Sequence, residues 1–151
     1  MLTVSDTRSE STDRSGALIR QLIEQAGHRV VNYRILPDDP ARVRDVVVAW
    51  LADTGCDGVI VSGGTGISRR DRTHEAVGAL LDQRLDGFGE LFRMLSWEQV
   101  GSAAMLSRAL GGIAKGKLLF ALPGSTAAVE LAMQRLILPE IGHLLAELGK
   151  Q

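Results

Sequence analysis

The chain of 151 residues has the length of one domain, expected over 1–151, large enough to bury a core without disulfides or structural metals. With 45% hydrophobic and 23% charged residues it has the composition of a soluble globular protein, and an aromatic share of 4% leaves core packing to aliphatic side chains. A formal net charge of -1 and the lack of a dense Lys/Arg tract exclude the electrostatic footprint that duplex nucleic acid demands.

The chain opens MLTVSDT, with no charged n-region, apolar h-region or cleavage site. No stretch approaches the ~20 apolar residues that span a bilayer, so a cytoplasmic protein without membrane contact is expected. The TVS segment reads as a first strand. In STDRSGALIRQLIEQAG, Leu18, Ile19, Leu22, Ile23 and Ala26 recur at helical spacing, with Asp13 near the start and Gly27 as a stop. RVVNYRIL is a short β-branched strand. Asp39-Pro40 supplies an N-cap and a first-turn proline for a second helix, whose apolar side is Val43, Val46, Val47, Trp50 and Leu51. Gly55 ends that pattern. The lone Cys56 cannot form an intramolecular disulfide and has the place of a small buried side chain. Gly58-Val59-Ile60-Val61 is a fully buried strand.

Beyond the glycine-rich SGGTG, a helix is expected from Thr73 to about Gln83, carrying Val77, Leu80 and Leu81. Residues 86–110 read as two short helices, and GGIAKGK as the turn into the strand Leu118 to Leu122. A helical tail follows, with a break or kink expected at Pro139. Alternating strands and helices indicate an α/β fold, a mostly parallel sheet covered on both faces.

In such sheets ligands bind beyond the carboxyl ends of the strands. Four segments occupy that position: Ser5-Asp6-Thr7, Leu36-Pro37-Asp38-Asp39, Ser62-Gly63-Gly64-Thr65-Gly66 and Pro123-Gly124-Ser125. The glycine loop offers unobstructed backbone N–H groups and the hydroxyls of Ser62 and Thr65, a means of cradling phosphate oxygens. Its spacing is neither GxGxxG nor a P-loop, which argues against an ordinary dinucleotide-dependent dehydrogenase or P-loop ATPase. Asp71 follows among Arg69, Arg70 and Arg72. Asp38 and Asp71 suit Mg2+, which takes one or two carboxylates together with water and phosphate oxygens, although Asp71 is also placed to cap a helix and Asp38 to sit only in the turn that leads to the helix capped by Asp39. The arginines are suited to phosphate charge and equally to solvent. Ser125 is placed to cap the following helix, whose N-terminus also suits an anion. His28, His74 and His143 lack zinc-ligand spacing.

In order, TVSDTRSESTDRSG, ILPDD, VIVSGGTGISRRDRTHEA, DGFGELFR, MLSRALGGI and ALPGS resemble the motifs of the MoaB/MogA family of molybdenum cofactor biosynthesis. The resemblance spans nearly the whole chain. It implies the three-layer molybdopterin-binding fold, assembly into a homotrimer or homohexamer, and molybdopterin and ATP as ligands. For MogA-type members it further implies adenylylation of molybdopterin by Mg-ATP, with Asp38 and Asp71 at the two essential acidic positions and holding Mg2+. Asp6, Ser62, Gly63, Gly64, Thr65, Gly66, Thr73, Glu90, Pro123, Gly124 and Ser125 fall at other matching motif positions and are candidates for binding molybdopterin or nucleotide. The alternative within the same resemblance is a member that binds the pterin without transferring a nucleotide to it. Only Met1 and Leu2 precede TVSDT, so the first strand is shorter than the family's and a longer natural N-terminus is expected.

Overall fold

A computed structural model describes residues 1–150. The chain order is β1 (Leu2–Val4), α1 (Arg14–Gln25), β2 (Arg34–Leu36), α2 (Pro40–Ala52), β3 (Gly58–Ser62), α3 (Thr73–Gly78), β4 (Gln83–Arg84), α4 (Asp86–Val100), a 3-10 segment Gly101–Leu106, β5 (Leu110–Ala114), β6 (Lys117–Leu122), α5 (Thr126–Ala132), a π-helical turn Met133–Ile137 and α6 (Leu138–Leu148). The strands form one six-stranded sheet in the order β2-β1-β3-β6-β5-β4, in which β2, β1, β3 and β6 are parallel and β5 and β4 antiparallel.

Strand side chains alternate between two cores. Ile60 of β3 and Leu118, Phe120 and Leu122 of β6 face α1, α4, α5 and α6, where they join Ile19, Phe92, Val129 and Ile137. Val59 and Val61 of β3 and Leu119 and Ala121 of β6 point the other way, onto Val43, Val47 and Leu51 of α2 and Val77 of α3. Both faces of β3 and β6 are therefore buried, which is why their sequences are continuously apolar instead of alternating. The result is the expected helix–sheet–helix sandwich.

Several boundaries differ from the sequence expectation, each for a physical reason. RVVNYRIL contributes only Arg34–Leu36 to the sheet, because β1, its partner, offers just the register Leu2–Val4. The third helix stops at Gly78, short of Gln83, and Gln83–Arg84 instead pairs with Ile113 and Gly112 of β5. The two helices expected over 86–110 are one 15-residue helix followed by a 3-10 segment, since no helix breaker stands between Leu95 and Val100 and Gly101, at φ 58, supplies the stop. GGIAKGK is no simple turn: Leu110–Ala114 is a strand, and only Lys115-Gly116, both at positive φ, reverses the chain. That pair of conformations is the two-residue hairpin turn that matches strand twist. Pro139 stands at the start of α6, and the π turn Met133–Ile137 carries the helical path into it, the wider turn accommodating a residue that lacks an N–H. Among the described residues no helix is long and apolar enough to cross a membrane.

Candidate functional site

The chain runs from β1 outward to β2 and then returns across to β3, so the strand order reverses between β1 and β3. Loops leaving two adjacent strands in opposite directions open a crevice at such a switch point. Here the crevice is a cleft of about 530 Å³, whose walls include Ser5, Thr7 and Arg8 after β1, Gly63 to Gly66 and Asp71 after β3, and Pro123 to Ser125 after β6. Phe92, Ser96, Gln99 and Val100 of α4 and Leu106 of the 3-10 segment close the apolar side.

Two of the glycines are required by the backbone. Gly63 has φ +102 and a Cβ there would lie 2.2 Å from the Val4 carbonyl oxygen, so the ends of β1 and β3 approach as closely as backbones can. Gly64 has φ +63, and a Cβ there would fall 2.1 Å from Thr73 Oγ1 and 3.2 Å from Asp38 Oδ1. Among the described residues no backbone carbonyl accepts the N–H groups of Gly64, Thr65, Gly66 or Ile67. A run of free amides on a loop lining a cleft is an anion cradle.

Asp38 and Asp71 reach the same glycine loop from different strands. Asp38 approaches Gly64, and the Asp71 carboxylate lies against Gly66, where an added Cβ would meet Oδ2 at 2.6 Å. Asp71 Oδ2 also accepts from Ser68 N at 2.9 Å, which closes a tight turn within the loop. Burial raises the Asp38 pKa first, and the neighbouring charges of Asp71 and Asp6 raise it further, against the opposing pull of Arg70 and the Arg72 amide. Asp38 Oδ1 and Thr73 Oγ1 are both buried with no hydrogen-bond partner. Buried polar atoms are normally satisfied, so these two oxygens, beside mutually repelling carboxylates, are free to accept from or coordinate a ligand. Among the described residues no group of three or more His, Cys, Asp or Glu side chains converges. A carboxylate pair and a hydroxyl are a donor set that fits Mg2+ when water and phosphate oxygens complete it.

The remaining candidates divide. Asp6 accepts from the Asp38 N–H at 3.1 Å and pairs with Arg70 at 2.9 Å, so it shapes the Asp38 loop. Ser62 is buried and its Oγ donates to the Pro123 carbonyl at 3.5 Å, tying the loops after β3 and β6 together. Thr65 and Thr73 are buried beside the glycines. Ser125 caps α5, accepting from Ala128 N, and lines the cleft with Pro123 and Gly124. Glu90 stands apart: it is exposed on α4 and does not line the cleft. Cys56 is buried, and its Sγ donates to the Gly58 carbonyl. His74, half-buried, has its pKa lowered by burial and then by the charge of Arg108.

Two arginines of the site went unremarked in the sequence. Arg8 donates to the Gly124 carbonyl at 2.8 Å and to Ser15 Oγ at 2.7 Å, and it pairs with Asp13 at 3.5 Å. Asp13 itself is a buried N-cap of α1 that accepts from Thr3 Oγ1, Tyr33 OH and Gly16 N. Burial would raise its pKa, but these hydrogen bonds prevail and lower it. Arg108, between the 3-10 segment and β5, donates to the carbonyls of Thr65, Gly66 and Asp71 and to the Glu75 carboxylate. Both stand inside motif segments, TVSDTRSES and MLSRALGGI, yet a single arginine in a loop carries no periodicity that would single it out.

Comparison with known proteins agrees with this geometry. Residues 1–143 match the family described as "probable molybdopterin binding domain". The molybdenum cofactor biosynthesis protein B of Bacillus cereus is 52% identical over 152 residues, covering 100% of this chain and 90% of that protein. A crystal structure of a molybdenum cofactor biosynthesis protein B superposes with a TM-score of 0.96 at 52% identity, covering 99% of this chain and 94% of the other. The tungsten cofactor synthesizing protein MoaB from Pyrococcus furiosus superposes at 0.86 with 40% identity, over 97% of this chain and 92% of its own. With the fold, the strand-end cleft and the whole length of the chain in agreement, it belongs to the MoaB-type family of molybdenum cofactor biosynthesis proteins.

Proposed function

We propose that the cleft binds molybdopterin and ATP and transfers the adenylyl group of ATP to the terminal phosphate of molybdopterin, in the cytoplasm. The observation that carries this reading is the pair of orphaned buried oxygens, Asp38 Oδ1 and Thr73 Oγ1, beside a loop of unpaired amides. A phosphate monoester is largely dianionic near neutral pH because its second pKa is about 6, so its oxygen attacks the α-phosphorus without a general base. The new P–O bond forms as the bond from the α-phosphorus to the bridging oxygen breaks, and pyrophosphate leaves with the electron pair.

What the protein supplies is alignment of two mutually repelling phosphates and neutralisation of the charge that moves between them. Asp38 and Asp71 would hold Mg2+, which neutralises phosphate charge when bound. The amides of Gly64, Thr65 and Gly66 donate to phosphate oxygens, and Arg69, Arg70 and Arg72, on the segment that follows the glycines, add positive charge nearby. Phe92, Val100 and Leu106 give the pterin or the adenine an apolar wall. The exposed row Leu91, Met94, Trp97 and Val100 on α4, continued by Met105 and Leu106, is the surface on which copies associate into a trimer or hexamer.

The test is Mg2+- and molybdopterin-dependent release of pyrophosphate from ATP. Asp38→Ala and Asp71→Ala should each lose activity by about 100-fold or more. A wild type that binds molybdopterin without releasing pyrophosphate would establish the non-catalytic binding role instead.

A further inference from the structure

Arg108 is the most heavily bonded side chain around the glycine-rich loop, and nothing in the adenylyl-transfer reading uses it. Its Nε donates to the Thr65 carbonyl at 2.9 Å, and its Nη2 donates to the Gly66 carbonyl at 2.5 Å and the Asp71 carbonyl at 2.7 Å. Its Nη1 donates to Glu75 Oε1 at 2.5 Å, which anchors the guanidinium to the first turn of α3. Burial would raise the Glu75 pKa, but the hydrogen bond and charge of Arg108 prevail and lower it, so the anchor is ionised across the neutral range.

The consequence for the loop follows from peptide geometry. Among the described residues no peptide bond is cis, and in a trans peptide the carbonyl and the following N–H point in opposite directions. Turning the Thr65 and Gly66 carbonyls onto Arg108 therefore turns the N–H groups of Gly66 and Ile67 away from it. The same guanidinium grips the backbone of Asp71, whose carboxylate lies against Gly66. Carbonyl oxygens left facing the ligand side would repel a polyphosphate. Held as they are by Arg108, their partial negative charge is offset and the amides are the groups presented.

We propose that Arg108 is a positioning residue that clamps the Thr65–Asp71 loop in the orientation that receives the polyphosphate of a nucleoside triphosphate and sets Asp71 beside it. The inference rests on reading the cleft as a nucleotide site, and it assigns Arg108 no contact with the reacting atoms. A planar fork is suited to this work, since its donors engage three carbonyls and a carboxylate at once, whereas a lysine ammonium offers three donors from a single point.

The experiment compares wild type with Arg108→Ala, Arg108→Lys and Glu75→Ala. The first readout is tryptic cleavage after Arg69, Arg70 and Arg72 in the ligand-free protein, which reports loop release whatever the protein's activity. The second is kcat and KM for ATP in pyrophosphate release, with and without added guanidinium ion. Arg108→Ala should be cut in the loop about tenfold faster than wild type, in line with local opening of an unanchored segment. Its kcat should fall about 100-fold, as misplacement of a catalytic loop does. Guanidinium ion should restore part of the activity and slow the cleavage, and Arg108→Lys should lie between wild type and Arg108→Ala in both readouts. Should Arg108→Ala fail to fold, Glu75→Ala, which alters an exposed carboxylate, should show the same changes at several-fold smaller size. Loop cleavage at the wild-type rate in the variants, or a kcat loss untouched by guanidinium, would overturn the proposal. A wild type that releases no pyrophosphate would sink the adenylyl-transfer reading alone, because the cleavage readout still decides whether the clamp exists.

Discussion

Gly63 and Val4 are packed backbone to backbone: a Cβ on Gly63 would come 2.2 Å from the Val4 carbonyl oxygen, and its φ of +102 is closed to L side chains in any case. Steric overlap and backbone strain act together, so Gly63→Ala is expected to destabilise the protein by about 3 kcal/mol. For a chain of this length that lowers Tm by about 6–12 °C. Gly142 makes the contrasting control. It lies in α6 with nothing within 4 Å of its added Cβ, so Gly142→Ala should stabilise by about 0.5–1 kcal/mol. Differential scanning calorimetry on the two variants checks both signs.

Asp13 makes a prediction about acid stability. Its folded pKa is depressed below the ordinary aspartate value of 3.8 by Thr3, Tyr33, Gly16 and Ser15, which outweigh its burial. The stabilisation is therefore complete above the ordinary value and is lost as pH falls through the lower, folded one. Asp13→Asn should cost about 3 kcal/mol at neutral pH, through lost charge-assisted hydrogen bonds and a stranded Arg8. The difference between wild type and variant should narrow below about pH 4, which urea unfolding across pH 2–7 would measure.

Asp38 has the opposite sign. Its folded pKa is raised by burial and by Asp71 and Asp6, so as pH rises through that value the native state loses stability relative to the unfolded chain. At neutral pH the ionised group is a liability when no cation is present. Asp38→Asn should raise the Tm of the metal-free protein while abolishing the proposed adenylyl transfer, a trade typical of sites built for binding. Added Mg2+ should raise the wild-type Tm and leave the variant unmoved. Equal Mg2+ shifts in both proteins would remove Asp38 from the metal site.

The apolar row on α4 predicts an assembly defect. Trp97 is 63% exposed and Met94 56%, with Leu91 and Val100 on the same side. Trp97→Glu combined with Met94→Glu should convert the proposed trimer or hexamer to monomers in sedimentation velocity. Val100 also lines the cleft, so the monomers should bind molybdopterin more weakly.

How much of this was written in the sequence depends on the kind of signal. Gly58–Val61 and Leu118–Leu122 were legible because strands buried on both faces are continuously apolar, and α1 because its spacing is regular. The hairpin at Lys115-Gly116 was obscured because a lysine at positive φ looks like any surface lysine. The strand Leu110–Ala114 was hidden by its two glycines, which read as a turn although Gly111 packs against Phe120. Within the site, Asp38 and the glycines stand out in the sequence because they follow β2 and β3 directly, whereas Asp71, beyond the glycine loop, stands out by the arginines around it and by the family resemblance. Arg108 acts on backbone carbonyls of a segment some forty residues earlier in the chain, and no local pattern records such a bond.

The two edges of the sheet are β2, of three residues, and β4, of two. Strand edges recruit other strands when they are long, and these are short. Neither margin offers enough unpaired backbone for another chain to extend the sheet, so the proposed trimer or hexamer is expected to be built through its helices. The same brevity guards a chain rich in aliphatic strands against growing, edge upon edge, into fibrils.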